Sequence, residues 1–168
     1  MRVLPLDTAI LRGNRSAHHE RINVVSVSAP PPERLQWFYE EMARTREDAM
    51  KYVGQVFTQD IAYKDPFRQT AGMADFEKLF TSLFKKWPKV WFTEFSRTGD
   101  QHAFTLTYVM NLKGSIGPSF AQPMASIARA NPEGLIYDLR DYFDFPTSLV
   151  SPSRIFTGLY HGFAKLFL

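Results

Sequence analysis

The sequence predicts an α+β domain: a curved antiparallel sheet wrapped on a long N-terminal helix, with an extra helix at the C-terminus. Three observations predict it. From Glu33 to Phe57 the apolar residues recur at threes, fours and sevens, the spacing of one helical face. Four later stretches alternate apolar with polar residues at period two, as half-buried strands do. Short turn segments join these stretches, so consecutive strands form a meander. Long helix, short strand, short helix and then four strands is an α+β order. A twisted sheet laid on the long helix encloses a conical cavity.

The 168 residues suit one domain able to bury a real core, and 45% of them are hydrophobic, with 15 Phe. The absence of Cys excludes disulfides, thiolate catalysis and cysteine metal sites. The net charge of +3 comes from scattered Lys and Arg, a poor footprint for nucleic acid. No apolar run reaches the roughly 18–20 residues that span a bilayer. Asp7 interrupts the early apolar stretch, so no secretory signal is read. The expectation is a cytoplasmic protein.

Residues 1–32 are read as an N-terminal extension. Their arginines resemble an organelle transit peptide only faintly, and His18-His19 lacks a third ligand for a metal. Pro30-Pro-Pro32 is read as a stiff spacer closing this segment. In the long helix, Leu35, Phe38, Met42, Ala49, Val53 and Val56 form the apolar stripe. Trp37 and Tyr39 are within reach of a ligand but suit a core equally.

Ile61 to Phe67 reads as a short strand ending at Pro66, with Ile61, Tyr63, Asp65 and Phe67 on one face. Asp65 is either part of a pocket wall with Tyr63 or a turn residue bonding its own backbone ahead of the proline. Gly72 opens a second helix, Ala74–Lys86, with Phe76, Leu79, Phe80, Leu83 and Phe84 on its apolar face. Val90–Ser96, His102–Leu112 and Gln122–Ala130 are the next strands. The second has Phe104, Leu106, Tyr108, Met110 and Leu112 inward. In the third, Pro123 implies an edge or a late start. After Pro146 and Pro152, Ser153–Leu168 reads as an amphipathic helix. It serves as a packing surface or, less simply, as a peripheral membrane contact.

The last strand, Leu135–Asp144, carries the chemistry. Leu135, Tyr137, Leu139, Asp141 and Phe143 share one face, and Leu and Phe require that face to be inward. Asp141 is then a carboxyl group among apolar neighbours. Such a group must be paired, hydrogen-bonded or protonated, which makes it a candidate site residue.

Tyr63-Lys-Asp-Pro-Phe67, Gly72 opening a helix, and Glu133-Gly134 leading into Arg140-Asp-Tyr-Phe-Asp144 resemble the nuclear transport factor 2-like superfamily, in its SnoaL-like branch. The resemblance covers residues 33–146. It implies a single cone-shaped domain, often dimeric through the sheet. Residues 147–168 then form the appended helix. The superfamily includes limonene epoxide hydrolases, steroid isomerases, polyketide cyclases, dehydratases and non-enzymatic binders. Against the epoxide hydrolases, Asp141 falls on the acid catalyst and Tyr63 on a water-holding tyrosine. Asp65 replaces an asparagine, while Tyr108 and Met110 replace an arginine and a base aspartate. The resemblance therefore implies the fold and the acid, and not the epoxide-opening route.

Two functions are expected from these residues. One is cofactor-free acid/base chemistry of isomerase, dehydratase, cyclase or hydrolase type, with Asp141, Asp65 and Tyr63 catalytic. The other is non-catalytic binding of a small apolar ligand, or an interaction role. In both, Tyr108, Met110, Phe104, Leu106, Leu139, Phe143 and Phe67 line the pocket. No cofactor, no metal and no nucleic acid is expected, and the expected partners are the ligand and a second copy in a homodimer.

Overall fold

The computed structural model describes residues 29–116 and 119–143. The expected Ser153–Leu168 helix, the boundary near Pro146 and the segment before residue 29 lie outside the described residues. The chain forms α1 (Pro31–Thr45), a tighter 3-10 helical segment (Arg46–Gln55), β1 (Phe57–Lys64), β2 (Gln69–Ala71) and α2 (Met73–Lys86). Four long strands follow: β3 (Lys89–Gly99), β4 (Ala103–Lys113), β5 (Ser119–Ala130) and β6 (Ile136–Tyr142).

The predicted helical stripe holds, because Leu35, Phe38, Met42, Ala49, Val53 and Val56 are all buried. The helix itself differs at both ends. Pro31 and Pro32 are not a spacer but the first turn of α1, where a missing N–H loses no intrahelical bond. The Pro30 carbonyl accepts the Glu33 and Arg34 N–H groups at 3.0 and 3.1 Å. The α-helix also stops at Thr45, since Arg46 has a positive φ of 57°. The Arg46 guanidinium then donates to the carbonyls of Phe84 and Pro88, each at 2.8 Å. The first is a carbonyl of the last turn of α2 and the second lies just beyond that helix. That contact is remote in sequence, so the local apolar period carries no sign of the break.

The six strands form one sheet in the order β2-β1-β6-β5-β4-β3. The predicted meander β3–β6 is antiparallel throughout. β1 lies parallel to β6, which joins the first half of the chain to the last strand. A register shift between Thr93 and Ser96, with Glu94 at φ 59°, bends β3, as bulges do. β5 starts at Ser119, earlier than its proline suggested. Its pairing with β6 reaches only Ala125, opposite Tyr142. Pro123 therefore sits where β5 has, among the described residues, one neighbour, and the edge expectation holds locally.

Two strand expectations need correction. β1 ends at Lys64, so Asp65 and Phe67 are not strand residues, and Phe67 is exposed. In β6 the alternation changes step: Ile136 is buried and Tyr137 exposed, whereas Leu139 and Asp141 are buried. Both flanking ladders shift register in this region, between Arg129 and Ala130 on one side and Phe57 and Ala62 on the other. A one-residue slip moves side chains to the opposite face.

The core lies between α1, α2 and the concave face of the sheet. The rings of Phe38, Phe57, Phe76 and Phe80 meet edge to face, with centroids 4.8 to 5.8 Å apart. Sheet register stacks the inward residues in rows. Phe104, Ala128 and Leu139 form one row, Leu106, Ser126 and Asp141 the next, and Tyr108 with Met124 the third.

Candidate active site

Asp141 on β6 and Ser126 on β5 face each other directly in register. The Ser126 hydroxyl donates to Asp141 Oδ1 at 2.6 Å. Tyr39 on α1 and Tyr108 on β4 bring their hydroxyls to Ser126 Oγ at 3.3 and 3.1 Å. Tyr63 on β1 donates to Asp141 Oδ2 at 3.0 Å and lies 3.2 Å from Asp65 Oδ2. Of the six residues in this network, all but Ser126 are candidate or ligand-reach residues in the sequence. A lone serine on a strand gives no local sign, and only the pairing of β5 with β6 reveals it.

Both readings of Asp65 hold together. Its Oδ1 accepts the N–H groups of Phe67 and Arg68 at 2.7 and 2.9 Å, which is a side-chain-stabilised turn. Its Oδ2 faces Tyr63 and the Arg68 Nε at 3.2 Å. The side chain is buried, so it also forms part of the pocket wall.

Burial pushes the Asp141 carboxyl up to about 6, and the nearby Asp65 charge adds to this; the hydrogen bonds from Ser126 and Tyr63 oppose it. The three phenols are driven well above their ordinary value, by burial first and by the Asp141 charge second. They remain protonated donors at every physiological pH.

Above this cluster is a cavity of about 120 Å³, lined by Tyr39, Met42, Tyr63, Asp65, Arg68, Phe92, Tyr108, Met110, Met124, Asp141, Phe143 and the α2 residues Leu79, Phe80 and Leu83. It is comparable to the roughly 150 Å³ apolar cavity that admits benzene. A wider hollow of about 340 Å³ adjoins it, sharing Arg68, Leu79, Leu83, Met110 and Phe143 and adding Phe67, Lys86 and Trp87.

Of the ten predicted site residues, Asp141, Asp65, Tyr63, Tyr108, Met110 and Phe143 line the inner cavity. Phe67 lines the outer hollow and packs its ring 5.7 Å from that of Phe143. Phe104, Leu106 and Leu139 line neither; they are buried in the core. Alternation assigns a residue to the concave face but not to a depth along it: Phe104 and Leu139 lie one row away from Asp141, and Leu106, in the same row, is fully buried in the core instead. Ser126, Met124 and the α2 residues are the additions the structure makes, and Tyr39, within ligand reach in the sequence, joins the site. Among the described residues no three His, Asp or Glu side chains converge as a metal site would require.

No family model matches the chain, and no curated protein matches it in sequence. Solved structures do. A hypothetical protein from Catenulispora acidiphila with a ketosteroid isomerase-like fold, solved with trimethylamine, is 21% identical over 71% of this chain and 91% of its own, with a TM-score of 0.60. A SnoaL-like family protein from Agrobacterium tumefaciens is 16% identical over 68% of this chain and 97% of its own, at 0.52. An M. tuberculosis limonene epoxide hydrolase-like (LEH-like) enzyme is 17% identical over 82% of this chain and 95% of its own, at 0.55. The chain therefore has the nuclear transport factor 2-like fold that its motifs resemble, and SnoaL-like and epoxide hydrolase-like proteins share that fold.

Proposed function

We propose that this protein is a cofactor-free acid/base enzyme acting on a small, largely apolar molecule, with Asp141 as the proton-transferring group. One observation carries the reading: a carboxyl group enclosed among hydroxyl donors at the base of an apolar cavity and pushed up to about 6. A group poised near neutrality exchanges protons with substrate most effectively. Tyr108 and Tyr39 hold their hydroxyls on Ser126 in this structure, and either would serve an oxygen that gains negative charge by turning its proton from Ser126 to that oxygen. Isomerisation, dehydration, cyclisation and hydrolysis are the classes in reach. Tyr108 and Met110 line the cavity, and the motif resemblance sets them against an arginine and an aspartate of the epoxide hydrolases. This chain would thus open an epoxide, if at all, by another arrangement.

The alternative is a binder of the same apolar molecule. It is favoured by the hydrogen bond that each Asp141 oxygen already accepts, one from Ser126 and one from Tyr63, which a purely structural acid also needs. Asp141→Asn decides between them. The protein is incubated with whatever ligand co-purifies and with a panel of small enones, epoxides and alcohols. Conversion by the native protein, abolished in Asp141→Asn, supports the enzyme. Retention of ligand without conversion in either protein supports the binder.

A homodimer through the outer face of the sheet is part of the proposal. Tyr142 and Ile127 are exposed there on neighbouring strands. Ile127→Arg is expected to halve the native mass if this face is the contact.

A further inference from the structure

The hydroxyl network leaves a proton to be placed. Each hydroxyl brings one proton and each carboxylate oxygen only accepts. Ser126 gives its proton to Asp141 Oδ1 and takes those of Tyr39 and Tyr108 on its two lone pairs. Tyr63 then has a single proton for two carboxylate oxygens, 3.0 Å away on Asp141 and 3.2 Å away on Asp65. With both acids ionised, one of these approaches sets lone pair against lone pair. One added carboxyl proton satisfies both.

We propose that Asp141, Tyr63 and Asp65 form one proton-sharing unit, in which the Tyr63 hydroxyl passes a proton between the enclosed acid and the turn acid. The surroundings fix where the proton rests. Asp65 accepts two backbone N–H groups on one oxygen and faces the Arg68 guanidinium with the other, so donors already serve both of its oxygens. Asp141 has only two hydroxyl partners and is the weaker anion. The proton rests on Asp141 Oδ2, Asp141 donates to Tyr63, and Tyr63 donates to Asp65 Oδ2.

Transfer along this line is balanced. The Asp141 O–H bond breaks as a new Tyr63 O–H bond forms. The original Tyr63 O–H bond breaks as Asp65 Oδ2 gains a proton. The two movements are concerted, because burial between two carboxylates disfavours a tyrosinate. Asp65 and Asp141 also line a hollow of about 240 Å³ with Lys64, Pro66, Arg140 and Tyr142. A proton delivered to Asp65 thus has a way out that does not cross the ligand cavity. The charged groups that face the unit are Arg68 in the ligand cavity and Lys64 and Arg140 in this hollow; Tyr39 from α1, Tyr108 from β4, Ser126 from β5, and Leu79, Phe80 and Leu83 from α2 are neutral.

The unit deepens the acid/base reading, since it gives Asp141 a route to reload or discharge, but its test needs no substrate. The full-length protein is labelled with ¹³C at Asp carboxyl carbons and Tyr Cζ, and titrated by NMR from about pH 4 to about pH 9. Asp141, Tyr63 and Asp65 are expected to respond at one common midpoint. Tyr63→Phe is expected to abolish the Asp65 response and raise the Asp141 midpoint. Asp65→Asn, which keeps the tyrosine, is expected to lower the Asp141 midpoint by about one pH unit through loss of a like charge. An Asp65 signal that stays flat while Asp141 titrates overturns the proposal. So does an Asp65 response that persists unchanged in Tyr63→Phe, or an Asp141 midpoint unmoved in Asp65→Asn. Absence of turnover on every substrate would sink the enzyme reading and leave this unit standing.

Discussion

Asp141 ties the stability of the protein to pH with a definite sign. Its carboxyl is raised from 3.8 to about 6 in the folded chain, so the unfolded chain ionises first as pH rises. Below about pH 4 both states hold the proton and the group costs nothing. Stability falls between about pH 4 and about pH 6 and is level above that, by on the order of 3 kcal/mol in all. Asp141→Asn mimics the neutral acid and removes this slope. The gap between variant and native denaturant midpoints is therefore expected to widen in the variant's favour across that window. Ser126→Ala takes a donor from Asp141 Oδ1 and leaves the Tyr39 and Tyr108 hydroxyls without their acceptor. It is expected to raise the Asp141 midpoint further and to cost about 1–3 kcal/mol, read by NMR titration and chemical denaturation. At this scale the sequence exposed the acids and Tyr63 through their apolar neighbours. Ser126 was silent because a small hydroxyl suits either face of a strand.

Among the elements, the joint between α1 and the β5–β6 turn is held by one buried cation. Arg34 donates to the Gln55 carbonyl at 3.1 Å and to the Gly134 carbonyl. Gly134 has φ 77°, and a Cβ there would meet the Arg34 guanidinium. Gly134→Ala combines a left-handed backbone, which costs roughly 1–2 kcal/mol, with displacement of that guanidinium. A loss of at least about 2 kcal/mol is expected in a denaturation series. Gly134→Ala paired with Arg34→Met should lose less than the sum of the two single changes, because the clash is then gone. The turn itself was readable from Asn131 to Gly134. The arginine that needs it was not, since a basic residue on a helix ordinarily lies in solvent.

Across the whole molecule, the inner cavity and its outer hollow meet at Leu79 and Leu83 of α2. Leu83 is half-buried, with space on its cavity side. Leu83→Trp is expected to fill the passage, to lower ligand occupancy at least about tenfold by native mass spectrometry, and to leave the melting temperature within a few degrees of native. A fall in stability with ligand binding intact would show that the passage lies elsewhere.

The sequence by itself determined the stripe of α1, the antiparallel meander and the inward parity of Asp141, because these rest on spacings local to one helix or one hairpin; it gave no sign of the short strand β2. Only the tertiary structure decided the break at Arg46, the parallel pairing of β1 with β6, the step in β6 and the depth at which the cavity opens. Each of these depends on a partner far along the chain. The meeting of Asp65, Tyr63, Ser126 and Asp141 depends on the same distant pairings. No local period records which strand a residue will face, and it is that choice of neighbour which turns four separate polar side chains into one site.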